Sequence, residues 1–289
     1  MISPVAPAPV PHTTLIDPSV LAAHLEDPDW IVFDCRHDLT RPDAGASDYQ
    51  AGHIPGAFFA HLDRDLAGTH TGQNGRHPLP DRKLLAEKFG RAGLTPAAQL
   101  VAYDAQGGMC AARLWWLARW LGHGNVAVLD GGWQQWVAEG RPTSPTVPQN
   151  RAGRFQEKPG VQWVSAAFLM DKLSGIALID ARSPDRFRGE NETLDPVGGR
   201  IPGARNRFFR ENLGANGKFK AAHTLKQEFS ALLAGSAIGD VVHSCGSGVS
   251  ACHNLLAMEI AGLQGSRLYP GSWSEWCADP ARPVARGEA

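Results

Sequence analysis

Cys245 stands in the run Val241-Val242-His243-Ser244-Cys245-Gly246-Ser247-Gly248-Val249-Ser250-Ala251-Cys252-His253, which reads as a strand, a tight glycine loop and a helix reaching about Gly262. A thiol at that junction faces unpaired backbone N–H groups and the positive end of a helix dipole, surroundings that favour the nucleophilic thiolate. Gly246 and Gly248 have no packing merit, but they let consecutive amides turn inward around an anion. The expected chemistry is attack by the Cys245 sulfur. The backbone of Gly246, Gly248, Val249 and Ser250 would hold the charge that develops. The competing reading, a cysteine that serves as a small buried hydrophobe, is disfavoured by the glycine pair.

The elements that must position this loop are written twice. Val101-Ala102-Tyr103-Asp104-Ala105 matches Val241 to Cys245, and Gly131-Gly132-Trp133 matches Gly271-Ser272-Trp273, both 140 residues apart. Phe33-Asp34-Cys35-Arg36 matches Ile179-Asp180-Ala181-Arg182, and Ile54-Pro55-Gly56-Ala57 matches Ile201-Pro202-Gly203-Ala204, at separations of 146 and 147. This is a tandem duplication with a short insertion or deletion. Ala105 occupies the position of Cys245, so the first half lacks the nucleophile. Short apolar strands such as Trp30 to Asp34 and Leu100 to Asp104 alternate with helical spacing at Leu114, Trp115, Leu117, Ala118 and Leu121. The expected class is α/β, two domains with mainly parallel sheets flanked by helices, with ligands at the carboxyl ends of the strands. Residues 1–13, rich in proline, read as a loose arm and not a signal peptide. Residues 14–141 form the first domain, 142–160 an extended linker, and 161–289 the catalytic domain.

Composition narrows the function. A net charge of -1 gives no field that would gather nucleic acid or anionic lipid. No apolar stretch is long enough for a membrane span. The five cysteines are odd in number and widely spaced, without a CxxC or CxxH pair, so no structural zinc is expected and a reducing cytoplasm fits best. Most of the nine tryptophans read as core: Trp115, Trp116 and Trp120 share one helix, and Trp133/Trp136 and Trp273/Trp276 recur at equivalent places.

The duplicated layout, His53-Ile54-Pro55-Gly56-Ala57, Asp180-Ala181-Arg182, the loop Cys245 to Ala251 and Gly271-Ser272-Trp273 together resemble tandem-domain rhodaneses over about residues 14–284. The loop is similar to the mercaptopyruvate sulfurtransferase form, Cys-Gly-Ser-Gly-Val-Thr, with Ser250 in place of the threonine; the thiosulfate-preferring form carries Cys-Arg-Lys-Gly-Val-Thr. Gly246-Ser247 offers no cation for doubly charged thiosulfate, which favours mercaptopyruvate.

The resemblance implies two rhodanese-like domains and no cofactor. A small-molecule sulfur donor would load Cys245 as a persulfide, which passes to cyanide or to an acceptor thiol such as a small thiol or a thioredoxin-like protein. It also implies catalytic roles for Ser247 and His53 and a substrate-binding role for Arg186, with Arg188 as the weaker alternative. Each has a structural reading too: Ser247 and His53 as turn residues, Arg186 as a solvated surface group. His77 is a further interdomain candidate. The family's second substrate arginine falls on Asp195, and Arg200, at the first-half position of His53, is a candidate for the missing charge. A phosphatase is disfavoured because the position six after Cys245 is Ala251, not the phosphate-gripping arginine. A thiosulfate sulfurtransferase and a persulfide carrier without turnover are the remaining alternatives.

Overall fold

Two runs of short apolar strands, each feeding a helix, build two parallel sheets in the computed structural model, which describes residues 10–151 and 153–288. Most of the expected arm, residues 1–9, lies outside the described residues. The first sheet comprises β1 (Leu15–Ile16), β2 (Trp30–Asp34), β3 (Phe58–Phe59), β4 (Gln99–Tyr103) and β5 (Val126–Leu129), in the order β1-β5-β4-β2-β3. The second comprises β6 (Ala177–Asp180), β7 (Arg205–Asn206), β8 (Val241–Ser244) and β9 (Arg267–Leu268), in the order β7-β6-β8-β9. The strand pairs in both are parallel. A parallel bridge from Trp163 to Leu268 takes the place that β1 has beside β5.

The duplication carries its internal bonds with it. Arg36 is bonded to Asp34 and reaches the Gly52 carbonyl at 2.7 Å; Arg182 is bonded to Asp180 and reaches the Gly199 carbonyl at 2.7 Å. These guanidiniums lie over the rings of Trp133 and Trp273. Six tryptophans, Trp115, Trp116, Trp120, Trp136, Trp273 and Trp276, are buried, as expected of core residues; Trp163 is an exposed exception.

The helices after β4 and β8, Met109–Trp120 and Ser250–Ile260, are both buried along most of their length because they pack on each other across the domain boundary. One apolar cluster runs through Ala111, Ala112 and Trp115 of the first into Val249, Ala251, Cys252 and Leu256 of the second. Each large side chain buried in this seam contributes on the order of 2 kcal/mol. Each domain also lends a loop to the other. After Asn74-Gly75, His77 reaches the loop of the second domain; after Asn216-Gly217, Phe219 stacks on His253 and comes to Gly108 in the loop of the first. From Arg141 to Arg151 and from Gly153 to Gly160 the chain is irregular and is tied along the first domain by bonds such as Arg151 N–H to Arg91 O and Lys158 N–H to Leu121 O. Among the described residues no helix is long and apolar enough to cross a membrane.

Two buried histidines, His253 at the seam and His243 within the second domain, make the structure acid-sensitive. His253 hydrogen-bonds to Gly107 O of the first domain and to Asn212, and burial pushes it down to about 4; burial pushes His243 down to about 3. Both folded-state values lie below the ordinary 6.5, so the stability that the neutral rings carry is complete above that pH and is lost as the pH falls towards 4 and then 3. Urea unfolding at pH 5 should show a loss on the order of 2 kcal/mol per histidine relative to pH 7. His253→Gln should remove about half of that pH dependence, and an unchanged slope would exclude the ring as its source.

Candidate active site

Cys245 follows β8 directly and begins the loop to the helix Ser250–Ile260. Its Sγ accepts the Gly248 N–H at 3.1 Å, and its own N–H donates to Ser272 Oγ at 3.1 Å. Ser272 is held at φ 53 and donates to Tyr269 O at 2.9 Å, so a strained serine fixes the start of the loop. Gly248 must be glycine: φ is +77 and a Cβ would stand 2.2 Å from Pro270 O. Cys245 is only 2% exposed, yet it lines a cavity of about 480 Å³ and is free of any disulfide. Burial pushes the Cys252 and Cys277 thiols up to about 12 and 11 and also raises those of Cys35 and Cys110.

The equivalent loop in the first domain shows what such amides attract. There the Asp104 carboxylate accepts the N–H groups of Gln106, Gly108, Cys110 and Ala111 at 2.7 to 2.9 Å. An aspartate side chain occupies the nest where no sulfur is present.

Of the residues expected at the site, Arg186, Gly246, Ser247, Val249 and Ser250 line the cavity with Cys245, and Gly248 donates to the sulfur from beneath. Three expected positions lie outside it. His53 is fully buried in the first domain, its ring nitrogens 2.7 and 3.1 Å from the carbonyls of Tyr49 and Thr146 and its ring stacked on Tyr49. Its turn-binding reading therefore replaces the catalytic one, because both nitrogens are occupied far from the loop. Arg200, its counterpart, binds the carbonyls of Gly287 and Glu288 and so cannot supply the missing charge. Arg188 pairs with Glu190 at 2.7 Å.

The position expected of His53 is filled by His77. Its Nδ1 lies 2.7 Å from Ser247 Oγ and its Nε2 3.0 Å from Asp63 Oδ1. Ionised Asp63 can only accept, so Nε2 carries the proton and Nδ1 accepts from the Ser247 hydroxyl. Burial lowers the His77 pKa against the pull of Asp63, and the bond to His77 lowers that of Asp63. His37 and His61 flank the same carboxylate at 4.0 Å, with His61 Nδ1 taken up by the Asp63 N–H. Asp63 had no signal in the sequence, and Ser272 was visible there only within the motif Gly271-Ser272-Trp273.

Arg186 forms a forked pair with Glu192, Nη2 donating to Oε1 at 2.7 Å and Nε to Oε2 at 3.1 Å, and touches Asp195 at 3.4 Å. Arg76, from the first domain, is bonded to Asp195 through Nη1. The two guanidiniums converge above Gly246, where a Cβ would lie 2.9 Å from Arg76 Nη2 and 3.5 Å from Arg186 Nη2. A thiol, an anion-binding backbone, a Ser–His–Asp chain and two guanidiniums thus face one cavity. That set can attack a soft electrophile, hold the anion formed, move a proton and grip a carboxylate.

A family model for the rhodanese-like domain matches the chain twice, over residues 17–139 and 163–279. The chain belongs to the rhodanese family, with two such domains in tandem. It is 49% identical over 279 residues to a probable 3-mercaptopyruvate sulfurtransferase of Pseudomonas aeruginosa, covering 95% of this chain and 98% of that protein. It is 32% identical over 249 residues to the 3-mercaptopyruvate sulfurtransferase of Mus musculus, covering 83% and 82%. SseA of Escherichia coli, described as a 3-mercaptopyruvate sulfotransferase, superposes with a TM-score of 0.77 at 28% identity over 91% of this chain and 99% of that one.

The two loop glycines should respond differently to alanine. Gly248→Ala drives a Cβ into backbone at a positive φ and should cost about 3 kcal/mol in urea unfolding. Gly246→Ala meets only arginine tips and should leave the unfolding midpoint within about 0.5 kcal/mol. Equal losses would contradict the loop geometry.

Proposed function

We propose that this protein transfers a sulfane sulfur from 3-mercaptopyruvate, through a persulfide on Cys245, to cyanide or a thiol acceptor. The observation that carries the donor assignment is the charge balance beside the loop. Arg76 and Arg186, whose tips converge on Gly246, are each matched by a buried carboxylate, Asp195 and Glu192, so neither is an unpaired cation beside the loop for a dianion such as thiosulfate; Arg182, which also lines the cavity, is paired with Asp180. A monocarboxylate needs oriented N–H donors more than net charge, and forked guanidiniums supply them.

The Cys245 thiolate attacks the donor sulfur, an S–S bond forms as the C–S bond breaks, and the electron pair leaves on carbon as the enolate of pyruvate. Cys245 sulfur is oxidised and the methylene carbon reduced. The Gly248 N–H, already on Sγ, stabilises first the thiolate and then the persulfide anion. Ser247, bonded to neutral His77, relays the proton of the donor thiol and returns it to the enolate, while Asp63 keeps the imidazole in the receptive tautomer. Arg186 binds the donor carboxylate. The acceptor then takes the outer sulfur, either a small thiol or the exposed cysteine of a thioredoxin-like protein, in the reducing cytoplasm that five free cysteines suit.

Treatment with mercaptopyruvate should add about 32 Da at Cys245. Cys245→Ser should show no adduct and lose more than about a thousandfold in turnover; a serine variant that keeps most of its activity would refute the persulfide route. Arg186→Leu should raise KM for mercaptopyruvate about tenfold or more and spare thiosulfate use, and an equal effect on both donors would take Arg186 out of the carboxylate site.

Neutral His77 is required, and its pKa lies below 6.5. The loading rate should therefore hold down to that pH and fall as the pH drops through the depressed value. Ser247→Ala and His77→Gln should lower kcat/KM about a hundredfold and abolish the acid limb. Persistence of that limb in His77→Gln would assign it to another group.

A further inference from the structure

Asp195 breaks the pattern that the family resemblance implies, since a substrate arginine is expected nine residues after Arg186. The position is not simply vacated. Asp195, its side chain only 3% exposed, receives a guanidinium from the other domain, that of Arg76, and also touches Arg186. Arg76 is located by its backbone as well: its N–H donates to Ser274 Oγ at 3.0 Å, and Gly75 before it sits at φ +82, where a Cβ would be 2.7 Å from Gly271 O. Its side chain, 26% exposed, lines the same cavity as Cys245. The space that an arginine side chain at position 246 would need, as in the thiosulfate-type loop, is filled by Arg76 and Arg186.

The geometry points to Arg76 as the second cation of the donor site, supplied by the non-nucleophilic domain and held in place by Asp195, so that donor carboxylate binding spans both domains. Arg76 and Arg186 then offer two forks of N–H donors to one planar 2-oxo carboxylate, with Asp195 acting as a positioning residue that touches no substrate. This extends the mercaptopyruvate reading and rests on it. The ligand class is a 2-oxo acid carrying a thiol at carbon 3. The pairing of Arg76 with Asp195 and of Arg186 with Glu192 leaves neither guanidinium as an unpaired cation for a doubly charged donor.

The test compares the wild type with Arg76→Leu/Asp195→Asn, a pair chosen so that no buried carboxylate is left without a partner, and with Arg76→Leu/Asp195→Arg, which moves the cation to the other side of the cavity. For the first, KM for mercaptopyruvate should rise about tenfold or more while kcat changes less than about threefold. The loss should fall on loading of Cys245, and discharge of preformed persulfide to cyanide should not share it. The second should recover most of the lost KM. An unchanged KM in the first variant, or an equal loss in loading and discharge, would overturn the assignment and leave Arg76 as a domain tie. If the wild type loads from thiosulfate but not from mercaptopyruvate, the donor reading itself fails. Arg76 is then judged with pyruvate, which should inhibit thiosulfate loading of the wild type and inhibit the first variant at least about tenfold more weakly; equal inhibition would overturn the assignment.

Discussion

A guanidinium buried between the domains sets the geometry of everything around it. Arg113 is fully buried, and among the described residues it meets carbonyl oxygens and no carboxylate: Gly248 O at 3.1 Å in the catalytic loop, His77 O at 3.0 Å and Leu66 O at 3.3 Å in the first domain. Removing a cation from water costs several kcal/mol, and burial accordingly lowers its pKa. Carbonyl dipoles offset part of that cost and fix the guanidinium against the catalytic loop. One side chain thus ties the loop that carries Cys245 to the segment that carries Arg76 and His77, and the domains can serve the site only when locked in this register.

Duplication explains why one half reacts and the other assists. Both halves keep the strand, the loop and the helix that create an amide nest, a consequence of backbone geometry that persists whatever side chain enters it. In the first domain the nest is satisfied internally by Asp104 and covered by Phe219 from its partner domain. In the second it is left for sulfur and covered by His77. Matching loops perform the covering, so a change from an aromatic to a titratable side chain at the tip, Phe219 against His77, separates a plug from a proton relay.

The sequence carried the fold well because the fold repeats. Apolar runs located β2, β4 and β8, and the matched segments, 140 to 147 residues apart, set Ile179-Asp180 of β6 opposite Phe33-Asp34 of β2. Cys245 and its loop were legible for a local reason: strand, glycine turn and helix are contiguous, so the chemistry follows from one stretch of chain. His53 misled because it was chosen through a motif that both halves share. Its counterpart, Arg200, does the same work of bonding carbonyls in a following segment, and residues at shared positions tend to serve the shared fold. His77, Arg76 and Asp63 act across the domain boundary, which periodicity within a half cannot reveal. The usable signal was asymmetry: Asn74-Gly75-Arg76-His77 against Asn216-Gly217-Lys218-Phe219, where only the loop facing the nucleophile carries a histidine. Ser272 was quoted within its motif, but its task, accepting the Cys245 N–H, depends on a positive φ that a sequence does not display.

The covalent intermediate also dictates the order of events. Cys245, only 2% exposed, meets a cavity of about 480 Å³, which has ample room for a three-carbon donor. The sulfur rests on Cys245 between donor and acceptor, which is the chemical origin of a two-stage, ping-pong course. Met109, Phe208, Phe209 and Val249 give the walls an apolar character, which limits water at a persulfide that has to outlast the exchange. An acceptor must present sulfur or carbon on a slender group, as cyanide and an unhindered thiol do. A folded protein would reach this sulfur, 2% exposed, through a cysteine on a protruding loop.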